Sequence, residues 1–289
     1  MLEGGWGRYN RVMRELSPNS QDPVLSFDNV RLGYGDFTVL SDLSLTVKPG
    51  EVVAMMGGSG SGKTTLMRAA TGQLEAQAGS VSVFGQPLNA ADKAQLLRLR
   101  QRMGVLFQHG ALFTDLDVFE NVAFPLREHA QMAEPEIIER VLKTLEAVGL
   151  RAAAHLKLSE ISGGMARRVA LARAVVREPE LVFYDEPFAG LDPISLGVTA
   201  RLIRSLADRL GCASVLITHD IKESFAIVDT VYLVGEGMLK AHGTPESLGQ
   251  SEDPYVRQFL DGAPDGPVAF DYPVTPAFER WCDRKGTSQ

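Results

Sequence analysis

At 289 residues, 45% hydrophobic and 22% charged, the chain has the composition of an ordinary globular protein, one large domain or one domain with subdomains, able to bury a sizeable core. Its formal charge of −7 argues against a broad basic face for nucleic acid or anionic membranes and leaves room only for a local basic patch. No run approaches the roughly 18 uninterrupted apolar residues of a membrane-spanning helix, and the N-terminus has no continuous apolar signal core, so a cytosolic location is expected. Cys212 and Cys282 stand at no metal-site spacing and are expected to be reduced structural thiols.

Residues 1–22, with Gly, Arg, Asn, Ser and Pro but no periodicity, read as a leader that is flexible or docks on a partner. A nucleotide-binding domain is expected over 23–250 and a C-terminal extension over 251–289. Val24 to Leu32, Phe37 to Leu40 and Leu43 to Val47 read as strands, and Lys48-Pro49-Gly50-Glu51 as a turn into a buried strand ending at Met56. Thr65 to Ala70 reads as a helix and Ser80 to Phe84 as a further strand. A helical subdomain is expected over about 88–178, interrupted by the short apolar strand Met103 to Phe107 before Gln108. Leu181 to Tyr184, Ser214 to Thr218 and Val231 to Val234 are short strands separated by helical patterns, one helix starting near Pro193, which predicts a mainly parallel α/β sheet. Beyond Leu260 the Pro and Gly residues oppose regular structure, and Phe270, Tyr272, Phe278 and Trp281 read as spaced among prolines rather than along a helix face.

Chemistry concentrates in four segments. Gly57-Gly58-Ser59-Gly60-Ser61-Gly62-Lys63-Thr64 fits the phosphate-binding loop G-x-x-x-x-G-K-[ST], with a buried strand before it and a helix after it. Lys63 would neutralise β- and γ-phosphate oxygens of a nucleoside triphosphate, Thr64 would ligate Mg²⁺, the loop amides would bind phosphate at a helix N-terminus, and Thr65 would add a contact. The strand ending in Asp185-Glu186 has the form of a Walker B motif: Asp185 would hold Mg²⁺ through water and Glu186 would polarise the attacking water. Ser162-Gly163-Gly164 opens the helical run Met165 to Val176, a second anion site at a positive helix end. Thr218-His219-Asp220 follows the last of these in order.

Two phosphate-binding devices about a hundred residues apart give residues 24–250 a specific resemblance to the ATP-binding-cassette ATPases. The resemblance implies a P-loop cassette with a mainly parallel core sheet, an antiparallel β subdomain and an α-helical subdomain. It implies that Ser162, Gly163 and Gly164 complete the site of a second copy, so that a head-to-tail dimer sandwiches two ATP molecules. It gives Tyr34 the role of stacking on adenine, Gln108 that of the Q-loop at the catalytic metal, Asp192 that of the D-loop and His219 that of the switch histidine. Met165 stands where the family most often has glutamine.

A narrower resemblance rests on Phe107-Gln108-His109-Gly110-Ala111-Leu112-Phe113, Phe124-Pro125-Leu126-Arg127-Glu128-His129, Ser162 to Arg168, and Arg257 to Gly262. These segments are similar to the branch of the family that powers phospholipid transport in maintaining outer-membrane asymmetry. That branch implies an integral-membrane permease, a periplasmic Mce-domain lipid carrier, a small STAS-domain subunit, a peripheral position on the cytoplasmic face of the inner membrane, and an arm over 263–289 docked on the neighbouring ATPase subunit. The alternatives are an importer ATPase for a polar solute such as an amino acid and, from another class, a DNA-repair or chromosome-organising ATPase. The latter usually separates its motif halves with heptads or Cys pairs, and the interval here has neither.

Overall fold

The computed structural model describes residues 22–129, 132–269 and 274–285. The leader 1–21 and the aromatics Phe270 and Tyr272 lie outside the described residues. One compact unit ends at Leu248 and a second begins at Gly249.

The first unit contains two sheets. An antiparallel sheet runs β2-β1-β4-β5, from β1 (Leu25–Tyr34), β2 (Phe37–Val47), β4 (Ala78–Val83) and β5 (Gln86–Pro87). The two sequence runs Phe37 to Leu40 and Leu43 to Val47 are one continuous strand. Ser41 and Asp42 form a bulge opposite Arg31, with Asp42 at φ 53°, so the alternation slips by one residue without ending the strand. The second sheet runs β10-β9-β3-β8-β7-β6, from β3 (Val52–Met56), β6 (Met103–Leu106), β7 (Leu181–Asp185), β8 (Ala213–Thr218), β9 (Thr230–Gly235) and β10 (Met238–Gly243). All its pairings are parallel except β9 with β10, a hairpin over Glu236-Gly237 that the sequence reading did not assign.

Strands β3, β7 and β8 are almost wholly buried on both faces, which explains why they read as unbroken apolar runs rather than alternating ones. Leu25, Phe27 and Val30 from the antiparallel sheet share one apolar cluster with Val53, Met55, Phe183 and Ile217 from the parallel sheet and with Leu66 and Met67 from helix α1 (Lys63–Ala70). Each large side chain of this kind contributes about 1.5–3 kcal/mol on burial. The Tyr232 hydroxyl donates to the Thr46 carbonyl at 2.9 Å, tying the two sheets at their margin.

The helical subdomain holds α2 (Lys93–Arg100), α3 (Val118–His129), α4 (Glu134–Ala147) and α5 (Gly163–Val175). Asn121 of α3 is fully buried. Its Nδ2 donates to the carbonyls of Phe113 and Asp117 at 3.1 and 2.9 Å and its Oδ1 accepts from the Phe113 amide at 2.8 Å, fixing the loop that follows Gln108. Helix α6 (Pro193–Leu210) starts at the expected proline, with Asp192 as its N-cap and Gly211 in the left-handed region as its stop. Two short helices, α7 (Ile221–Phe225) and α8 (Pro245–Gly249), follow β8 and β10.

The second unit contains α9 (Pro254–Asp261) and α10 (Pro276–Lys285). Asp253 caps α9 by accepting from the Tyr255 and Val256 amides at 2.8 and 3.1 Å. Helix α10 corrects the reading of the tail. Phe278 and Trp281 sit three residues apart on it and stack with centroids 6.0 Å apart, both exposed. Its start signal was present in the sequence: Thr275 accepts from the Phe278 amide at 3.2 Å, and Pro276 stands at the first helical position, where a missing N–H costs nothing.

Candidate functional site

Four parallel strands end side by side, and each delivers part of the site at its C-terminal edge. β3 leads into the glycine loop, its neighbour β8 into His219, the next strand β7 into Asp185 and Glu186, and β6 into Gln108. The register makes this placement local. Met56 pairs with Thr218, Asp185 with Ile217, and Leu106 with Tyr184.

The loop Gly57–Gly62 needs its glycines for two reasons. Gly57, Gly60 and Gly62 have φ of 154°, 77° and 101°, and a Cβ on Gly57 would stand 2.2 Å from the Val234 carbonyl oxygen of β9. Gly62 is the N-cap of α1, which has no side-chain cap and no acidic residue in its first turn, so its positive end is uncompensated. Ser61 Oγ is buried there without a partner. Lys63 Nζ is buried and donates to the carbonyls of Gly57 and Gly58 at 2.7 and 2.9 Å. Burial lowers its pKa, and the nearby carboxylates of Glu186 and Asp185 oppose that fall. Thr64 is exposed at the helix start and Thr65 is buried. An uncapped helix end, an orphaned hydroxyl and a desolvated ammonium together form a donor set that suits a polyphosphate.

Glu186 follows β7 with φ 44°, a strained position for a non-glycine residue, held by its amide donating to the Ile217 carbonyl at 2.8 Å. His219 Nδ1 lies 3.1 Å from both carboxylate oxygens of Glu186; hydrogen-bond geometry is met at Oε1, and the buried Oε2 is left unpartnered. The glutamate side chain is only 14% exposed and the histidine 62%. Burial and the neighbouring Glu186 raise the Asp185 pKa, against opposing pulls from Lys63 and Arg68. An aspartate whose charge is disfavoured by burial and by an adjacent carboxylate is a site a divalent cation would relieve, and Mg²⁺ prefers such oxygen ligands. Ligand atoms of Glu186, His219 and Asp220 also gather within 4.8 Å of one another, but the imidazole makes that trio a poorer match for Mg²⁺.

Because the Asp185 pKa is raised, its ionisation costs the folded state, and stability present at low pH is lost as pH rises through the carboxylate range. Asp185→Asn is therefore expected to raise the melting temperature of the nucleotide-free protein at neutral pH. The same substitution should lower Mg²⁺-dependent hydrolysis on the order of 100-fold. A lower melting temperature with unchanged Mg²⁺ dependence would contradict both halves.

The remaining positions fall into two places. Tyr34 ends β1 with its ring 44% exposed and its hydroxyl 3.0 Å from Arg68 Nη1 of α1. Hydrogen bonding to Thr65 and then Arg68 lowers the Tyr34 pKa. Ser162, Gly163 and Gly164 open α5, and their contacts are local: Ser162 Oγ accepts from the Met165 amide at 3.2 Å, which shows that the main chain at position 165 suffices for this cap. A Cβ on Gly163 would meet nothing within 4 Å, whereas one on Gly164 would stand 2.8 Å from Ser195 Oγ. Ser195 in turn donates to Asp192 at 2.5 Å, and Asp192 also accepts from the Ile194 and Ser195 amides at 3.0 and 3.1 Å. These bonds, the Ser195 hydroxyl first, hold the Asp192 pKa below its ordinary value. The structure thus brings Lys63, Asp185, Glu186 and His219 into one cluster, and Gly164, Ser195 and Asp192 into another.

Sequence reasoning missed Arg68, Ser195 and Arg167. Arg68 had a signal, lying three residues after Thr65 on the same helical face. Arg167 had none, because its partners are main-chain carbonyls. Cys212 is buried with its pKa raised to about 11 by desolvation, Cys282 is also buried, and neither is in a disulfide, as expected of structural cysteines.

A strand–glycine loop–helix at the edge of a parallel sheet, facing an Asp-Glu strand end and a histidine, defines a P-loop nucleoside triphosphatase. The chain belongs to the ABC transporter family, which matches residues 40–189, and it is an MlaF-like ATPase of that family. It is 48% identical over 251 residues to the intermembrane phospholipid transport system ATP-binding protein MlaF of Escherichia coli K12, covering 87% of this chain and 93% of that protein. The Haemophilus influenzae protein of the same name is also 48% identical, with 87% and 95% covered. Among solved structures, CbiO1 of Clostridium perfringens, part of the CbiONQ ABC transporter complex, matches with a TM-score of 0.75 at 29% identity, covering 82% of this chain and 95% of that one. The cassette MJ0796, solved as a dimer in a post-hydrolysis state with ADP and Pi, matches with a TM-score of 0.69 at 28% identity, covering 76% and 98%. The expected cassette architecture is borne out. Among the described residues, no helix is long and apolar enough to cross a membrane.

Proposed function

We propose that this protein is the ATP-hydrolysing subunit of a transporter that moves phospholipid between the inner and outer membranes. The observation that carries the reading is the 48% identity to MlaF over 87% of this chain, which extends well beyond the nucleotide motifs common to the whole family. A polar-solute importer is not favoured, since relatives 48% identical to this chain carry the phospholipid name.

In this reading Lys63 and the amides of Gly57 to Thr65 hold the β- and γ-phosphates, and the Tyr34 ring covers adenine. Thr64, Asp185 and Gln108 would hold Mg²⁺, which would supply charge neutralisation at the phosphates. Glu186 accepts a proton from the attacking water at Oε2, while His219 fixes the carboxylate through Oε1. Ser162, Gly163 and Gly164 act on the nucleotide of a second copy in a head-to-tail dimer, with Asp192 at the same junction. The dimer works on the cytoplasmic face of the inner membrane through an integral-membrane permease, with STAS-domain and Mce-domain subunits and without nucleic acid. The cassette domain of this reading spans 23–250, with its helical subdomain over about 88–178, flanked by the leader and the C-terminal extension.

Purification of the tagged chain from its native membranes tests the reading. Recovery with a membrane-embedded permease and extractable phospholipid is expected. Recovery with a permease whose purified complex hydrolyses ATP in response to a soluble polar solute, and not to phospholipid, would overturn it.

A further inference from the structure

The loop that carries Gln108 leaves β6 at Leu106 and is exposed from Phe107 to His109. Gly110 and Ala111 then take positive φ, 71° and 49°. Helix α5 receives the loop's carbonyls on two arginines. Arg173 donates to Gly110 and Ala111 at 2.6 and 2.8 Å. Arg167 is forked: Nη1 donates to the Gln108 carbonyl at 2.7 Å, and Nη2 to the Ala189 carbonyl at 3.0 Å. Ala189 belongs to the turn that starts at Glu186, to whose carbonyl its own amide donates at 3.2 Å. Neither guanidinium is ion-paired with a carboxylate among the described residues, and burial is the sole cause lowering the pKa of each. The Arg167 Nη1 also donates to the Phe107 carbonyl at 3.4 Å, and a half-buried charge spent on main-chain carbonyls is costly for a merely structural contact, since hydrogen bonds must compensate its desolvation.

We propose that Arg167 is a positioning residue for hydrolysis, its fork setting the Gln108 loop against the Glu186 turn so that the Gln108 side chain meets the metal beside the attacking water. The proposal rests on the ATPase reading of the site. Arg167 stands five positions after Ser162, so the same helix that presents the second anion site also grips both hydrolytic segments. A guanidinium suits this task because its planar fork presents separate nitrogens in fixed directions to two different segments, whereas a lysine offers its donors from a single point on a flexible stem.

The test compares Arg167→Lys, Gln108→Ala, the double variant and Glu186→Gln in the purified transporter complex, with melting temperature recorded for each. Arg167→Lys is expected to lower kcat about tenfold, as for a slightly misplaced group. It should also raise the Mg²⁺ concentration needed for half-maximal rate, and leave metal-free binding of a fluorescent ATP analogue within about twofold of wild type. In the Gln108→Ala background the effect of Arg167→Lys should shrink to less than about twofold, because the residue acts through Gln108. An unchanged kcat and Mg²⁺ dependence would overturn the proposal, as would a full-sized effect that persists without the Gln108 side chain. If Arg167→Lys fails to assemble, Arg167→Gln carries the same comparison, and failure of both to assemble makes the residue structural and overturns the proposal. Normal hydrolysis by Gln108→Ala and Glu186→Gln would sink the site reading itself; slowed hydrolysis in those two with Arg167→Lys unaffected removes only the role of Arg167.

Discussion

Glu186→Gln is expected to lower steady-state ATP hydrolysis about 1,000-fold while leaving nucleotide affinity within about twofold, the range expected when a general base is lost and shape is kept. The amide preserves the volume of the side chain and can still meet His219 Nδ1, so the turn at φ 44° has no reason to collapse. What disappears is the basic carboxylate, whose buried Oε2 has no hydrogen-bond partner. In the proposed dimer, where hydrolysis would part the two chains, the variant should also accumulate as an ATP-stabilised dimer on size-exclusion chromatography. Turnover near the wild-type rate would remove Glu186 from its role.

The second large effect concerns the trans arrangement. Ser162→Arg puts a bulky cation at the start of α5, where Ser162 is exposed and a Cβ on the next residue would meet open space. Nucleotide binding by one chain should survive, and hydrolysis by the dimer should fall at least on the order of 100-fold. The decisive measurement uses mixed dimers. With Lys63→Ala on one chain and Ser162→Arg on the other, one site is doubly damaged and the other is intact, so about half of wild-type activity is expected if the sites work independently. With both substitutions on one chain and none on the other, each site has one defect and activity should be lost. Equal activity in the two arrangements, or the reverse order, would contradict completion of each site by the opposite chain.

Much of this site was legible because its chemistry is written in short contiguous words. The glycine loop, Asp185-Glu186 and Ser162-Gly163-Gly164 each stand at a strand or helix end whose flanks carry a clear periodicity, so pattern singled them out, whereas His219 took its expected role from the family resemblance. The bulge at Asp42 was not legible, since a left-handed residue inside a strand looks like a strand end when read by alternation. Strand β10 was missed because Lys240 and His242 dilute its pattern at the sheet edge. Helix α10 was missed because the surrounding prolines outweighed a start signal that Thr275 and Pro276 supplied. The grip of Arg167 on Gln108 and Ala189 joins residues 59 and 22 positions away through main-chain oxygens, which every residue possesses and no sequence pattern marks.

The lysine of the glycine loop bears on the tempo of the cycle. Two of its three ammonium protons are donated to the carbonyls of Gly57 and Gly58, inside the loop itself, leaving one with a fixed direction. The rotamer freedom of a lysine, up to about 2 kcal/mol, is therefore given up to bonds that the chain makes with itself. A loop braced by its own lysine would exchange a guest with no refolding step between turns. In the proposed dimer, the pace of exchange then falls to how quickly the two chains part.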